Sequence, residues 1–123
     1  MKLDVLRQYG LCYLASPYSL YDGGLDAAYT DVAALVVRLH ALRISAYSPI
    51  VYSHPIARAL NLDAKDHDFW IKFDEPMMKK CDALVIARFP GWDKSFGMSI
   101  ENDRFRAAGK DVWHIDPIKM GLL

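Results

Sequence analysis

The sequence has only two cysteines, no surplus of charge of either sign and no long hydrophobic run. Cys12 and Cys81 are too few for a disulfide framework. Both border or sit in apolar, strand-like runs, as expected of buried, reduced thiols in an intracellular protein. Lys+Arg and Asp+Glu number 15 each, so the formal net charge is +0 and the basic excess of a nucleic-acid binder is missing. No apolar stretch approaches the roughly 18 residues of a membrane span. Residues 1–10 are charged and lack the apolar stretch of a secretion signal. The expectation is a cytoplasmic protein with neither a nucleic-acid nor a membrane partner. Near-zero charge also gives little protection against self-association.

Missing motifs narrow the chemistry. There is no Walker A loop, no G-x-G-x-x-G and no G-x-S-x-G, which argues against a nucleoside triphosphatase, a dinucleotide-dependent dehydrogenase and an α/β-hydrolase. His40, His54, His67 and His114 show no zinc-site spacing, so no metal is expected. His40 reads as structural and His67, beside Asp68, as polar surface. His54 follows a strand end and is within reach of a ligand pocket.

What remains suffices for one packed domain. The 123 residues are 53% hydrophobic, and a chain of this size buries roughly two-thirds of its unfolded surface. Strands are expected at Leu11–Ala15, Ile44–Tyr47, Ala83–Phe89 and Val112–Ile115. Leu25, Ala28, Val32, Leu35, Val36, Leu39 and Leu42 recur at steps of three and four, predicting a helix. A short helix is expected to begin at Ser53-His54-Pro55. Another spans Asp66 to Lys80, which Pro76 should kink or split. A last helix runs from a Ser95 cap to Gly109. This alternation predicts a single α/β domain over residues 1–123, flavodoxin/Rossmann-like, with a parallel sheet of four or five strands and helices on both faces. Ligands in such folds lie beyond the carboxyl ends of the strands, here residues 13–19, 48–54, 88–101 and 114–117.

Within those segments, Gly91 to Glu101 joins a buried strand to a helix N-terminus, where free N–H groups and the helix dipole favour an anion. Glu101 there has the makings of a nucleophile toward an electrophilic carbon, although spacing alone also fits an ordinary helix acid below a serine cap. The small, hydroxyl-rich Tyr13 to Ser19 segment suits a sugar or phosphate, or simply a turn with a packed tyrosine. Trp92 reads equally as a stacking wall or a loop anchor.

Together these pieces resemble the nucleoside 2-deoxyribosyltransferase-like superfamily, which includes 2′-deoxynucleoside 5′-monophosphate N-glycosidases. The resemblance rests on Tyr13 with Ala15-Ser16-Pro17, on Asp74 eight residues before Asp82, and on Ser95-x-Gly97-x-x-x-Glu101. It spans about residues 11–115. Ser48-Pro49-Ile50 and Gly91-Trp92-x-x-Ser95-x-Gly97 are similar to a short branch of bacterial or phage-associated members.

The resemblance implies that Glu101 is the nucleophile, Asp74 the acid that holds or protonates the departing base, and Tyr13 the phenol that positions the nucleophile. Ser16, Pro17, Ser95, Gly97, His54 and Trp92 are the expected substrate-binding residues. Ser95 stands where an aspartate marks enzymes of free nucleosides, so it implies a monophosphate. The first loop lacks the glycosidases' phosphate-binding arginine, a role left to Arg88 or Lys94. The implied activity is cleavage of the N-glycosidic bond of a (deoxy)nucleoside 5′-monophosphate through a glycosyl-enzyme intermediate, without cofactor, in a homodimer or higher homo-oligomer. Transfer of the sugar between bases, NAD hydrolysis and non-catalytic nucleotide sensing are the alternatives.

Overall fold

In the computed structural model, which describes residues 2–121, each strand is short and stops just before a polar or proline-bearing segment. The strands are β1 (Cys12–Ala15), β2 (Ala46–Tyr47), β3 (Ala83–Ala87) and β4 (Asp111–Ile115). They pair in the order β2-β1-β3-β4, all parallel. This is a flavodoxin-like order. The chain leaves β1 toward β2 on one side, and β3 lies on the other. The loops after β1 and β3 therefore part and leave a crevice at their carboxyl ends.

Strand periodicity sorts the core into two layers. Cys12, Leu14, Val85 and Ala87 point to one face and pack on Val32, Leu35 and Leu39 of α1 (Leu25–Ala41), with Leu6 from a short N-terminal 3-10 turn. Tyr13, Ala15, Leu84 and Ile86 point to the other. There they meet Met78 of α3 (His67–Lys80) and Met98 and Phe105 of α4 (Phe96–Ala107). All five residues of β3 are buried, the mark of a strand covered on both faces. Helices therefore cover both faces, on a sheet of four strands. No helix among the described residues is long and apolar enough to cross a membrane.

Local chemistry corrects two expected helix boundaries. The helix expected from Ser53 begins earlier: α2 is Pro49–Leu60. Ser48 Oγ accepts a hydrogen bond from the Val51 N–H at 3.2 Å, and proline holds the first helical position, where its missing N–H costs nothing. Pro76 does not divide α3, which is one continuous helix. Pro76 and Lys72 are both exposed, so the bond that proline cannot make is lost on the solvent side.

Asp82, which opens the β3 run, has a structural task. Its Oδ2 accepts from Gly10 N at 2.9 Å and Leu11 N at 3.2 Å, tying the starts of two strands together. A Cβ on Gly10 would come within 3.0 Å of that oxygen, so glycine permits the approach. This contact lies at the amino end of the sheet, away from the crevice.

Candidate active site

The crevice holds a cleft of about 670 Å³, counted out to its open mouth. The loop after β1 supplies Ser16, Tyr18 and Ser19, and α2 supplies Pro49, Ile50 and Ser53. Trp70, Ile71 and Asp74 come from α3, and Ser95, Gly97, Met98 and Glu101 from the start of α4. Ser95 caps α4, its Oγ accepting from Met98 N at 3.3 Å. Tyr18, Ser19, His67 and Ser95 also border a second cleft of about 530 Å³, which Pro17, Gly91 and Phe96 help to line.

Two carboxyl groups occupy positions that packing alone would give to apolar residues. Asp74 lies in the buried stripe Trp70, Asp74, Met78 of α3, and Glu101 in the stripe Met98, Glu101, Phe105 of α4. Their residues are only 9% and 7% exposed. Burial disfavours the charged form, and it pushes Asp74 up to about 7. Burial likewise raises Glu101 to about 8, with the Tyr13 phenol pulling it down and the Asp74 charge pushing it up. Tyr13, fully buried on β1, is driven well above the ordinary phenol range by burial and by the two carboxyls.

The unmade hydrogen bonds gather at the same place. Among the described residues, the buried side-chain polar atoms without a partner are Tyr13 Oη, Ser16 Oγ, Tyr47 Oη and Asp74 Oδ1. A buried polar group left unsatisfied costs about 1–3 kcal/mol. Native proteins keep few of them. Two of the four, Ser16 Oγ and Asp74 Oδ1, belong to residues lining the cleft, and Tyr13 and Tyr47 stand side by side in the sheet next to it.

The raised carboxyls set a pH dependence of stability. Between pH 4 and 8 the folded protein keeps protons that the unfolded chain releases, so stability falls as pH rises through about 7 and 8. The loss between pH 5 and pH 8 should be on the order of 6 kcal/mol. Urea unfolding at pH 5 and pH 8 measures it, and Glu101→Gln is expected to flatten the slope and gain stability at pH 8. A wild type whose stability rises over this interval would contradict the assignment of buried, proton-holding carboxyls.

Of the residues singled out in the sequence, Ser16, Asp74, Ser95, Gly97 and Glu101 line the first cleft, Pro17 lines the second, and Tyr13 faces Glu101. His54 and Trp92 line neither; His54 borders a separate pocket with Tyr18 and Arg58, and Trp92 one with Ser95, Ser99 and His114. His54 is buried between α1 and α2, its Nδ1 bonded to Tyr18 Oη at 2.5 Å and its Nε2 to Asp26 Oδ1 at 2.9 Å. Tyr29 stacks on its ring at 4.7 Å. Both nitrogens are occupied, so His54 anchors the Tyr18 wall instead of meeting a ligand. Trp92 packs edge-on against His114 at 5.4 Å, under the Arg88 guanidinium at 4.7 Å. Those contacts hold it beside β4.

Arg88 is committed there as well, its Nε donating to His114 Nδ1 at 3.0 Å. Neither Arg88 nor Lys94 lines the two clefts, and among the described residues no other Lys or Arg does. Sequence reasoning left His67 on the surface, yet it stands at the junction of the clefts against the Phe96 ring at 5.3 Å. Trp70 was also missed. Its spacing of four from Asp74 was the available signal. Cys12 and Cys81 are free and buried, and burial pushes both thiols up to about 11, away from nucleophilic use.

Fold and site define a parallel, flavodoxin-like α/β protein with an acid-lined crevice at the switch point of its sheet. Residues 10–116 match a family described as "Domain of unknown function (DUF1937)", and the chain belongs to that family. No significant match to a curated protein is found.

Proposed function

We propose that this protein cleaves the N-glycosidic bond of a (deoxy)nucleoside or its 5′-monophosphate. The observation that carries the reading is the pair of buried carboxyls, Asp74 and Glu101, facing one cleft that gathers unpartnered polar atoms. The order Tyr13, Asp74, Ser95-x-Gly97-x-x-x-Glu101 supports it through the resemblance to deoxyribosyltransferase-like enzymes.

In this mechanism an ionised Glu101 oxygen attacks C1′ of the sugar. The C1′–N bond breaks with its electron pair on the base, and Asp74 gives that nitrogen its proton. Water then attacks C1′, loses a proton to the Asp74 carboxylate, frees the sugar and regenerates the Glu101 carboxylate, as in retaining glycosidases. Tyr13 holds the Glu101 carboxylate in line. Trp70, Ile50 and Ile71 supply an apolar wall for the base, and Ser16 and Ser95 supply hydroxyls for the sugar end.

Two observations bear on the 5′ end. Ser95 at the α4 N-terminus favours a phosphate, whereas the lack of any lining Lys or Arg favours the free nucleoside. A chromatographic screen for free base separates them. Purified protein is incubated with common nucleosides and 5′-monophosphates, with and without an acceptor base. Release without acceptor is expected, and turnover only with acceptor would move the assignment to sugar transfer. Release from none of these substrates would overturn the reading.

A further inference from the structure

The mechanism above leaves one buried polar group at the crevice without a task. Tyr47 ends β2 and pairs with Tyr13 in the sheet register, so the two phenols stand side by side with ring centroids 5.7 Å apart. Tyr47 Oη is buried and unpartnered, and so is Asp74 Oδ1.

A row of ring contacts links Tyr47 to α3. Tyr47 packs on Tyr52 of α2 at 6.3 Å, Tyr52 on Phe73 of α3 at 5.3 Å, and Phe73 on Trp70 at 5.4 Å. This aromatic row runs from β2 to the turn of α3 that carries Asp74. Of the ionisable groups around Tyr47, Asp74 acts on it most strongly, ahead of Tyr52, Cys81 and Glu101. For Tyr13 the order is reversed, Glu101 coming before Asp74.

We propose that Tyr47 is a positioning residue for Asp74, donating a hydrogen bond to the carboxylate formed when the acid's proton passes to the departing base. The inference rests on the reading of Asp74 as that acid. In the step, the Asp74 proton moves to the base nitrogen and the C1′–N electron pair stays on the base. The Tyr47 O–H bond remains intact. A bond to the charged form is stronger than one to the neutral acid, so the phenol stabilises the transition state more than the resting enzyme. The carboxyl also faces Glu101 from α4 and Tyr13 from β1, whose Oη is unpartnered as well.

Tyr47→Phe tests the proposal in the intact protein, because it removes one oxygen and keeps the packed ring. Base release from an ordinary nucleoside is expected to fall about 10- to 100-fold. Release from an N7-methylated purine nucleoside, whose base leaves without needing a proton, should change by less than about 2-fold. Carbon NMR of the Asp74 carboxyl should show its titration moved to higher pH, with Asp74→Asn assigning the signal. Equal losses on both substrates, or an unmoved titration, would overturn the proposal. If the wild type cleaves neither nucleoside, the glycosidic reading has failed instead, and the titration still decides whether Tyr47 bonds to Asp74.

Discussion

Replacing Glu101 by Gln is expected to lower base release by at least about 10³-fold while making the protein harder to unfold at pH 8. The two effects share one cause. Glu101 is buried on α4 with its carboxyl raised to about 8, so its ionised form is costly inside the fold, and the proposed function gives that form its use in attack on a sugar. The amide keeps the size and removes the charge, which relieves the folded state and ends the nucleophilicity. Urea unfolding and base release measured on the same preparation separate this from simple damage, because a misfolded variant loses both. A variant that remains active would remove Glu101 from the chemistry, and one that is inactive but destabilised at pH 8 would contradict the electrostatic account.

The second large effect is expected for Asp74→Asn. Release of an ordinary base should fall about 10²- to 10⁴-fold, the usual worth of positioned general acid catalysis. The pH profile should change shape as well as height. In the wild type, attack needs Glu101 ionised and Asp74 protonated, so kcat/KM is expected to follow a narrow bell whose limbs belong to the pair, near 7 and 8. Asparagine cannot lose a proton, so the alkaline limb should disappear. The acid limb that remains should belong to Glu101 alone, still held up by its burial. Measuring kcat/KM from pH 5 to 9 for both proteins checks each sign. An unchanged bell in the variant would mean that another group supplies the proton.

The sheet was legible because buried strands leave continuous apolar runs. The Ala83–Phe89 run could be read directly, its strand proper ending at Ala87, and Leu25 to Leu42 carried the α1 stripe. Ser48-Pro49 is less plain, since after the expected strand Ile44–Tyr47 the dipeptide is a helix cap followed by a first-turn proline. That boundary placed Pro49, Ile50 and Ser53 in the cleft wall. Asp74 and Glu101 were found through a motif order, while the physical sign, an acid within a buried stripe, needs the helix phase to be known. The surroundings of His54 and Trp92 were hidden for a different reason. Their partners, Tyr18 and Asp26 for one and Arg88 and His114 for the other, are set by tertiary packing that spacing does not encode. Tyr47 was hidden likewise, since its relation to Asp74 exists only once β2 lies beside β1.

The central claim is that Glu101 forms a covalent bond to a sugar, and intact-protein mass spectrometry tests it most directly. The protein would be incubated with nucleosides bearing fluorine at C2′, which withdraws electrons and slows breakdown of a glycosyl-enzyme. The account predicts a mass increase equal to one fluorinated sugar, mapped by peptide digestion to Glu101 and absent in Glu101→Gln. Base release with no adduct, or an adduct on any other residue, would contradict it.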